Sequence, residues 1–242
     1  MRELRDKAAE MGVMLDGAQL RSFQVYMDML LEWNNRMNLT AITEPSQIIT
    51  KHFLDSLSLL RFLARDKPCK LIDAGTGAGF PGAPLAIAAP LFEVTLMDSL
   101  RKRLVFLNEF IKTAGIINAV TVHSRLEDAG RVKEHRERYE TVAARAVAGM
   151  STLAEYCLPL TAVGGYFYAM KGPAGRDEAA GAEGIIHALG GCVDRVEDVL
   201  LYDGKAHEPI YHTVVLIKKI RKTPTEYPRR ADKIAKSSNA TN

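Results

Sequence analysis

The spacing of apolar residues changes character near residue 64 of this chain. Before that point Phe23, Tyr26 and Leu30 recur at helical intervals, and no segment shows the alternation of a strand. A second helix is predicted over 47–64. Residues 1–64 are therefore predicted to form a helical N-terminal extension.

From residue 65 onward, short apolar runs of strand length alternate with longer helical segments. The predicted strands cover 69–74, 93–98, 119–123, 141–144, 165–170, 193–202 and 211–219. The predicted helices cover 84–89, 100–114, a short piece near 131–138, 150–160 and 177–189. Strands separated by helices of this length form right-handed βαβ units, so we predict an α/β fold with a mostly parallel sheet.

The last two predicted strands have no helix between them. They flank Asp203-Gly204, a dipeptide typical of turns, which predicts an antiparallel hairpin at the edge of the sheet. The pattern thus divides the chain into the extension, an α/β domain over 65–220 and a C-terminal tail over 221–242.

Composition narrows the class of protein. With 242 residues, of which 47% are apolar, the chain can bury one sizeable α/β core. No window approaches the ~20 uninterrupted apolar residues of a membrane span, and the N-terminus lacks the apolar core of a signal peptide. Three widely spaced cysteines, Cys69, Cys157 and Cys192, favour reduced core residues. We therefore expect a cytoplasmic protein that does not contact a membrane.

Charge is distributed unevenly along the chain. The net charge is +3, but residues 218–236 hold eight Lys and Arg against two acids, a balance of +6. The rest of the chain holds 24 basic and 27 acidic residues, a balance of −3. A basic tail on a mildly acidic body indicates local contact with a polyanion, and a solvated tail kept for solubility is the alternative.

The segment 70–82 carries the most informative pattern. Leu71 and Ile72 end a buried strand, Asp73 follows, and three glycines then stand at every second position, at Gly75, Gly77 and Gly79. Glycine lets the backbone turn sharply and lie close to a ligand. The dinucleotide fingerprint, Gly-x-Gly-x-x-Gly, would require a glycine at position 80, where this chain has Phe80. The better match is the Asp-x-Gly-x-Gly-x-Gly loop of methyltransferases that use S-adenosyl-L-methionine (AdoMet).

Ligands of doubly wound sheets bind at the carboxyl ends of the strands, so polar residues there are site candidates. Asp98, followed by Ser99, can accept the ribose hydroxyls, and the alternative role for Asp98 is capping the next helix. Leu126 and Glu127 follow the third strand, where an adenine ring would lie. Arg145 follows the fourth strand, and its partner could be a cofactor carboxylate, an RNA phosphate or the carboxylate of Asp73 or Glu155. Lys171 is the candidate after the fifth strand.

Taken together, these motifs resemble those of the RsmG/GidB family of bacterial methyltransferases. The matching segments are 33–40, 51–56, 73–82, 96–99, 102–103, 124–127, 145–146, 170–172 and 227–230. The resemblance implies a Rossmann-like class I AdoMet methyltransferase sheet and methyl transfer to N7 of a guanine in 16S ribosomal RNA of the small ribosomal subunit. It also implies cofactor contacts at Gly75, Phe80, Leu126, Glu127 and Arg145. The alternatives are an AdoMet-binding RNA or ribosome-assembly protein without turnover, and a small-molecule methyltransferase.

Guanine N7 carries a lone pair and no proton at neutral pH, so methyl transfer to it requires alignment rather than a general base. No catalytic residue is therefore assigned with certainty, and the candidates are His52, Asp55, Arg145 and Lys171. His52 and Asp55 share a helical face, where they either face the pocket or form a structural pair. No metal site is predicted, because the histidines lack ligand spacing. A monomer is expected.

The RNA partner should contact cations through its phosphates, and each neutralised phosphate steepens the salt dependence of binding. The predicted RNA-binding residues are Arg36, Arg101, Lys102, Arg103, Lys171, Arg221, Arg229 and Arg230.

Overall fold

A computed structural model describes residues 1–145, 148–202, 209–230 and 233–234. Its seven-stranded sheet has the strand order β3-β2-β1-β4-β5-β7-β6. The strands are β1 Cys69–Ala74, β2 Phe92–Asp98, β3 Ala119–His123, β4 Tyr139–Arg145, β5 Thr161–Lys171, β6 Gly191–Leu201 and β7 Ile210–Lys219. All seven were predicted from the apolar pattern. The Asp203-Gly204 turn lies outside the described residues.

The sheet is parallel except at its end. β1 pairs in parallel with β4, β2 with β3, and β4 with β5, whereas β7 is antiparallel to β5. The predicted parallel sheet with an antiparallel hairpin is confirmed. The chain order reverses between β1 and β4, and in doubly wound sheets ligands bind outside the carboxyl ends of the strands at such a reversal.

Ten α-helices occur among the described residues. They are α1 Arg2–Glu10, α2 Gly17–Met37, α3 Pro45–Ile48, α4 Asp55–Leu57, α5 Gly82–Ala88, α6 Arg101–Ala114, α7 Leu126–Ala129, α8 Met150–Cys157, α9 Gly175–Gly181 and α10 Glu183–Ala188. A π-helical turn, Ile49–Leu54, joins α3 to α4, and a 3₁₀ turn, Ser58–Arg61, follows α4.

Two helix predictions were wrong in detail. The piece near 131–138 consists of turns, and Glu137 there has a φ of 53°, which a right-handed helix excludes. The single helix predicted over 177–189 is instead two helices, α9 and α10, that meet at Ala182. Gly181 and Gly184 flank this break, and glycine has a low helix propensity.

The long helix α2 begins and ends on local signals. Asp16 caps it by accepting hydrogen bonds from the amides of Ala18 and Gln19, while the Gln19 side chain accepts one from the Asp16 amide. Asn38 ends it in the left-handed conformation. The helical turns from 45 to 61 then provide the second helical segment that the pattern predicted.

Contacts group the chain into two compact units. Unit 1 comprises Met1–Cys69, Thr76–His123 and Leu200–Ile210, and unit 2 comprises Lys70–Gly75, Ser124–Val199 and Tyr211–Asn242. Among the described residues, no helix is both long enough and apolar enough to cross a bilayer.

Of the three cysteines only Cys157 is buried, so the prediction of a core position was wrong for the exposed Cys192.

The core of unit 1 is built on aromatic rings. Tyr26 is fully buried, and its ring stacks on Phe110 at 4.3 Å and on Phe53 at 5.5 Å between centroids. Phe23 packs on Phe53 at 5.0 Å. The apolar stripe of α2 therefore forms part of a packed core together with residues from the π-helical turn and α6.

Within unit 2, the first ten residues of the predicted tail form a strap, residues 221–230, held through its backbone. One nitrogen of the Arg136 guanidinium donates to the carbonyls of Gly130 and Tyr227, and the other donates to those of Thr223 and Pro224. The fully buried Lys219 donates to Thr223 Oγ1 at 2.6 Å and pairs with Glu137 at 3.3 Å. These bonds hold the strap together with the ion pair of its Arg229 with Glu155.

We expect the stability of the protein to rise above pH 8 because of Lys219. Burial lowers the pKa of its ammonium group from 10.5 to about 8, against a smaller opposing effect of Glu137. The unfolded chain therefore binds more protons between these two values, and the free energy of unfolding rises with pH there. In urea titrations, wild type should gain up to roughly 3 kcal/mol across this range relative to Lys219→Met. An identical pH dependence of the two proteins would contradict the assignment.

Candidate functional site

The glycine-rich segment after β1 forms a tight turn. Gly75, Gly77 and Gly79 have φ values of 77°, 59° and 107°, all in the left-handed region that favours glycine. The Thr76 amide donates to the Met97 carbonyl at 2.9 Å, and the Thr76 carbonyl accepts from the Gly79 amide at 2.8 Å. The turn is thus fastened to the end of β2 and closed on itself.

Asp98, at the end of β2, holds this turn by a hydrogen bond. It is 4% exposed, and its Oδ2 accepts a hydrogen bond from the Gly77 amide at 2.9 Å. The same oxygen pairs with the Arg103 guanidinium at 3.2 Å, and Oδ1 accepts from the Leu100 amide at 2.8 Å. Asp98 therefore holds both the glycine turn and the Leu100 amide that precedes α6. It is not the N-cap residue of α6, because that position is Leu100, which makes no side-chain capping bond.

The chemistry of this carboxylate fits a ribose ligand. Two carboxylate oxygens offer about four lone-pair sites, and the three N–H donors around Asp98 leave capacity for a hydroxyl. Ser99 is adjacent, and its carbonyl lies 3.0 Å from His123 Nε2. The pairing of Arg103 with Asp98 was not foreseen, because the sequence predicted Arg103 as a phosphate contact.

Phe80 lies in the interior of unit 1, between two rings. Its centroid is 5.2 Å from that of Tyr26 and 4.4 Å from that of His52, and both pairs are stacked. His52 Nε2 lies 2.8 Å from Thr40 Oγ1, and Asp55 is buried in the following turn. The ring of Phe80 thus packs inward, so a cofactor contact at this position would use its backbone.

Unit 2 contains the other predicted cofactor residues. Asp73 is fully buried at the end of β1, Leu126 is buried at the start of α7, and Arg145 ends β4. Glu127 is also in α7, and it approaches Arg125 at 3.7 Å. The structure places each of these residues at or just after the carboxyl end of a strand, as the pattern predicted.

Carboxylates of unit 2 shift the pKa of two neighbouring groups. Burial raises the pKa of the Tyr156 hydroxyl, and the charges of Glu127 and Glu155 raise it further. Burial, helped by the charge of Asp73, raises the pKa of the Cys157 thiol well above its ordinary value. Both groups therefore keep their protons at neutral pH.

Two of the predicted RNA-binding cations are engaged in ion pairs within unit 2. Lys171 Nζ lies 2.7 Å from Glu178 and donates to the Ala148 carbonyl at 2.8 Å. The Arg229 guanidinium forms a two-pronged pair with Glu155, at 2.6 and 2.9 Å, and Glu155 is only 1% exposed. One of the two carboxylates considered as a partner for Arg145 is therefore occupied by Arg229.

The remaining predicted RNA contacts have exposed side chains. They are Arg36, Arg101, Lys102, Arg221 and Arg230.

In the part of the chain that the structure describes, no cluster of three or more His, Cys, Asp or Glu side chains could hold a metal ion.

Comparison with known proteins decides the family. The family model described as rRNA small subunit methyltransferase G, GidB, matches residues 19–201. The chain belongs to the GidB family. A relative from Alkaliphilus oremlandii named ribosomal RNA small subunit methyltransferase G is 46% identical over 233 residues, covering 96% of each chain. A relative of the same name from Alkaliphilus metalliredigens is 44% identical, covering 94% of this chain and 93% of the relative.

Solved structures of distant proteins share the fold of this GidB chain. A 16S rRNA (adenine(1408)-N(1))-methyltransferase from Catenulisporales acidiphilia, solved with its cosubstrate SAM, superposes with a TM-score of 0.52 at 16% identity, covering 64% of this chain and 87% of the other. M. jannaschii TYW2 in complex with AdoMet gives 0.51 at 13% identity, covering 69% and 77%. The predicted Rossmann-like class I methyltransferase fold is confirmed.

Replacing Asp98 by asparagine should weaken AdoMet binding. The Asp98→Asn side chain keeps the size of the carboxylate but loses its charge and one acceptor oxygen, so charge-assisted bonds to the ribose are lost. We expect the calorimetric Kd to rise by roughly 10- to 100-fold. Glu93→Gln, on the exposed start of the same strand, is the matched control and should bind like wild type. Equal affinities of both variants would remove Asp98 from the site.

Proposed function

We propose that this GidB chain transfers a methyl group from AdoMet to N7 of a guanine in 16S ribosomal RNA. The observation that carries the proposal is the glycine turn fastened to Asp98, in a chain of a family described as small-subunit rRNA methyltransferases. AdoMet is the cofactor, and when bound it supplies a methyl group on a sulfonium centre. The small ribosomal subunit or its RNA is the substrate.

The cofactor is proposed to lie on the glycine turn, with its ribose on Asp98. The backbone at Gly75 and Gly77 is proposed to approach the ligand without an intervening side chain, whereas Gly79 faces Tyr26. Ser99 extends the acceptor set. We propose the adenine side at Leu126 and Glu127, and the amino-acid end at Asp73 and Arg145. These residues bind and orient the donor.

The reaction needs alignment and exclusion of water rather than proton removal, because guanine N7 is already a lone pair. The contacts of His52 with Phe80 and Thr40 favour a structural role over that of a base. The ion pair of Lys171 with Glu178 supports a structural role in the same way. The chain is proposed to act without a general base.

The organisation around this chemistry is also a proposal. We assign 1–64 to a helical extension, 65–220 to the methyltransferase domain and 221–242 to a basic tail, in a monomer that acts in the cytoplasm. The proposed phosphate contacts are the exposed Arg36, Arg101, Lys102, Arg221 and Arg230. Guanine N7 faces the deep groove of an RNA helix, so the target base should be exposed in a loop or splayed out.

The direct test uses purified protein, tritium-labelled AdoMet and small ribosomal subunits that lack the modification. We expect label in 16S RNA, and mass spectrometry of the digested RNA should locate it as 7-methylguanine. A retained AdoMet complex without labelled RNA would instead identify an assembly protein without turnover. Methyl transfer in the absence of RNA would identify a small-molecule enzyme.

The tail predicts a contrast between neighbouring arginines. Arg221→Ala with Arg230→Ala removes two exposed cations, so the slope of log affinity for RNA against log salt should fall by roughly 1.5 units. Arg229→Ala should leave the slope unchanged, but the buried Glu155 would lose its partner at a cost of roughly 1–3 kcal/mol of stability. Filter binding at several salt concentrations and urea unfolding measure the two effects. A lower slope for Arg229→Ala alone would contradict the assignment.

A further inference from the structure

The third glycine of the turn faces the protein interior rather than open space. A Cβ atom built on Gly79 would overlap the Tyr26 hydroxyl and would lie 2.8 Å from Leu107 Cδ2 and 3.2 Å from Ala83 Cβ. In addition, the φ of 107° at this position would strain any residue that has a side chain. The absence of a side chain at Gly79 therefore serves the approach of Tyr26.

Tyr26 makes use of this close approach. Its hydroxyl donates a buried hydrogen bond to the Ala78 carbonyl at 2.6 Å, across 52 residues of sequence. Packing fixes the ring, which is fully buried and stacks on Phe110 and Phe80. The hydroxyl is thus delivered to the turn by a rigid part of α2.

The bond acts on a glycine-rich part of the turn. Ala78 lies between two glycines in left-handed conformations, and glycine residues pay the largest entropy cost on ordering. On one side the Gly77 amide is held by Asp98, and on the other the Ala78 carbonyl is held by Tyr26. Together the two bonds hold the Thr76–Gly77 and Ala78–Gly79 peptide groups, which lie on either side of the Gly77–Ala78 peptide.

We propose that Tyr26 is a positioning residue for AdoMet, acting through the Ala78 carbonyl on the peptides of the glycine turn. The proposal rests on the proposed function, because it requires AdoMet to bind at this turn. Tyr26 contacts the turn and is not assigned a contact with the cofactor. Its hydroxyl preorganises the binding surface, so ligand binding does not have to order it.

The test is Tyr26→Phe, which keeps the ring and its stacking and removes only the hydroxyl. We expect the Kd for AdoMet to rise about 5- to 20-fold by calorimetry, as for the loss of a buried hydrogen bond that orders a site. At saturating AdoMet, kcat should stay within about twofold of wild type, because the turn is then ordered by the ligand.

Phe23→Leu is the matched control for general destabilisation. Phe23 is fully buried in the same core and packs on Phe53. This variant should lower the Tm at least as much as Tyr26→Phe while keeping the Kd of wild type. An unchanged Kd in Tyr26→Phe would overturn the inference, and so would losses of affinity that follow Tm in both variants. Failure of wild type to bind AdoMet would overturn the proposed function as well.

Discussion

The turn after β1 depends on side chains that reach it from distant parts of the chain. Its glycines permit the left-handed backbone, but they also leave it with more freedom than any other sequence would. Asp98 holds the Gly77 amide and Tyr26 holds the Ala78 carbonyl, and both anchors are buried. A cofactor surface made of backbone can be specific only if the backbone is held in this way, and the packing of unit 1 provides that constraint.

The cations of the basic tail have different roles in the structure. A balance of +6 over 218–236 indicates a polyanion partner, yet Lys219 is buried and Arg229 is paired with Glu155. These cations hold the strap within unit 2, whereas the exposed Arg221 and Arg230 are the tail residues proposed as phosphate contacts. Charge counting could not separate the two groups, because Glu155 lies 74 residues before Arg229.

Much of the fold could be predicted from local pattern, because each strand is a short apolar run bounded by turn residues. The predicted bounds of β1 and β3 are the observed ones, whereas the helix predicted near 131–138 is wrong. The local pattern did not reveal the left-handed Glu137, whose amide donates to the Pro159 carbonyl and whose carboxylate pairs with Lys219. In the site, strand ends identified Asp98 and the glycines, but Tyr26 was recognised only as a core residue. Its hydroxyl matters because of a partner 52 residues away, which helical spacing does not reveal.

The most direct test of this account is a crystal structure of the protein with S-adenosylhomocysteine. We predict that the nucleoside lies against the backbone of 75–79, with a ribose hydroxyl within hydrogen-bonding distance of Asp98 and the bond from Tyr26 to Ala78 intact. The account would be contradicted by a nucleoside bound elsewhere. It would also be contradicted by a ribose bound to another acid while Asp98 contacts only Arg103 and the backbone amides.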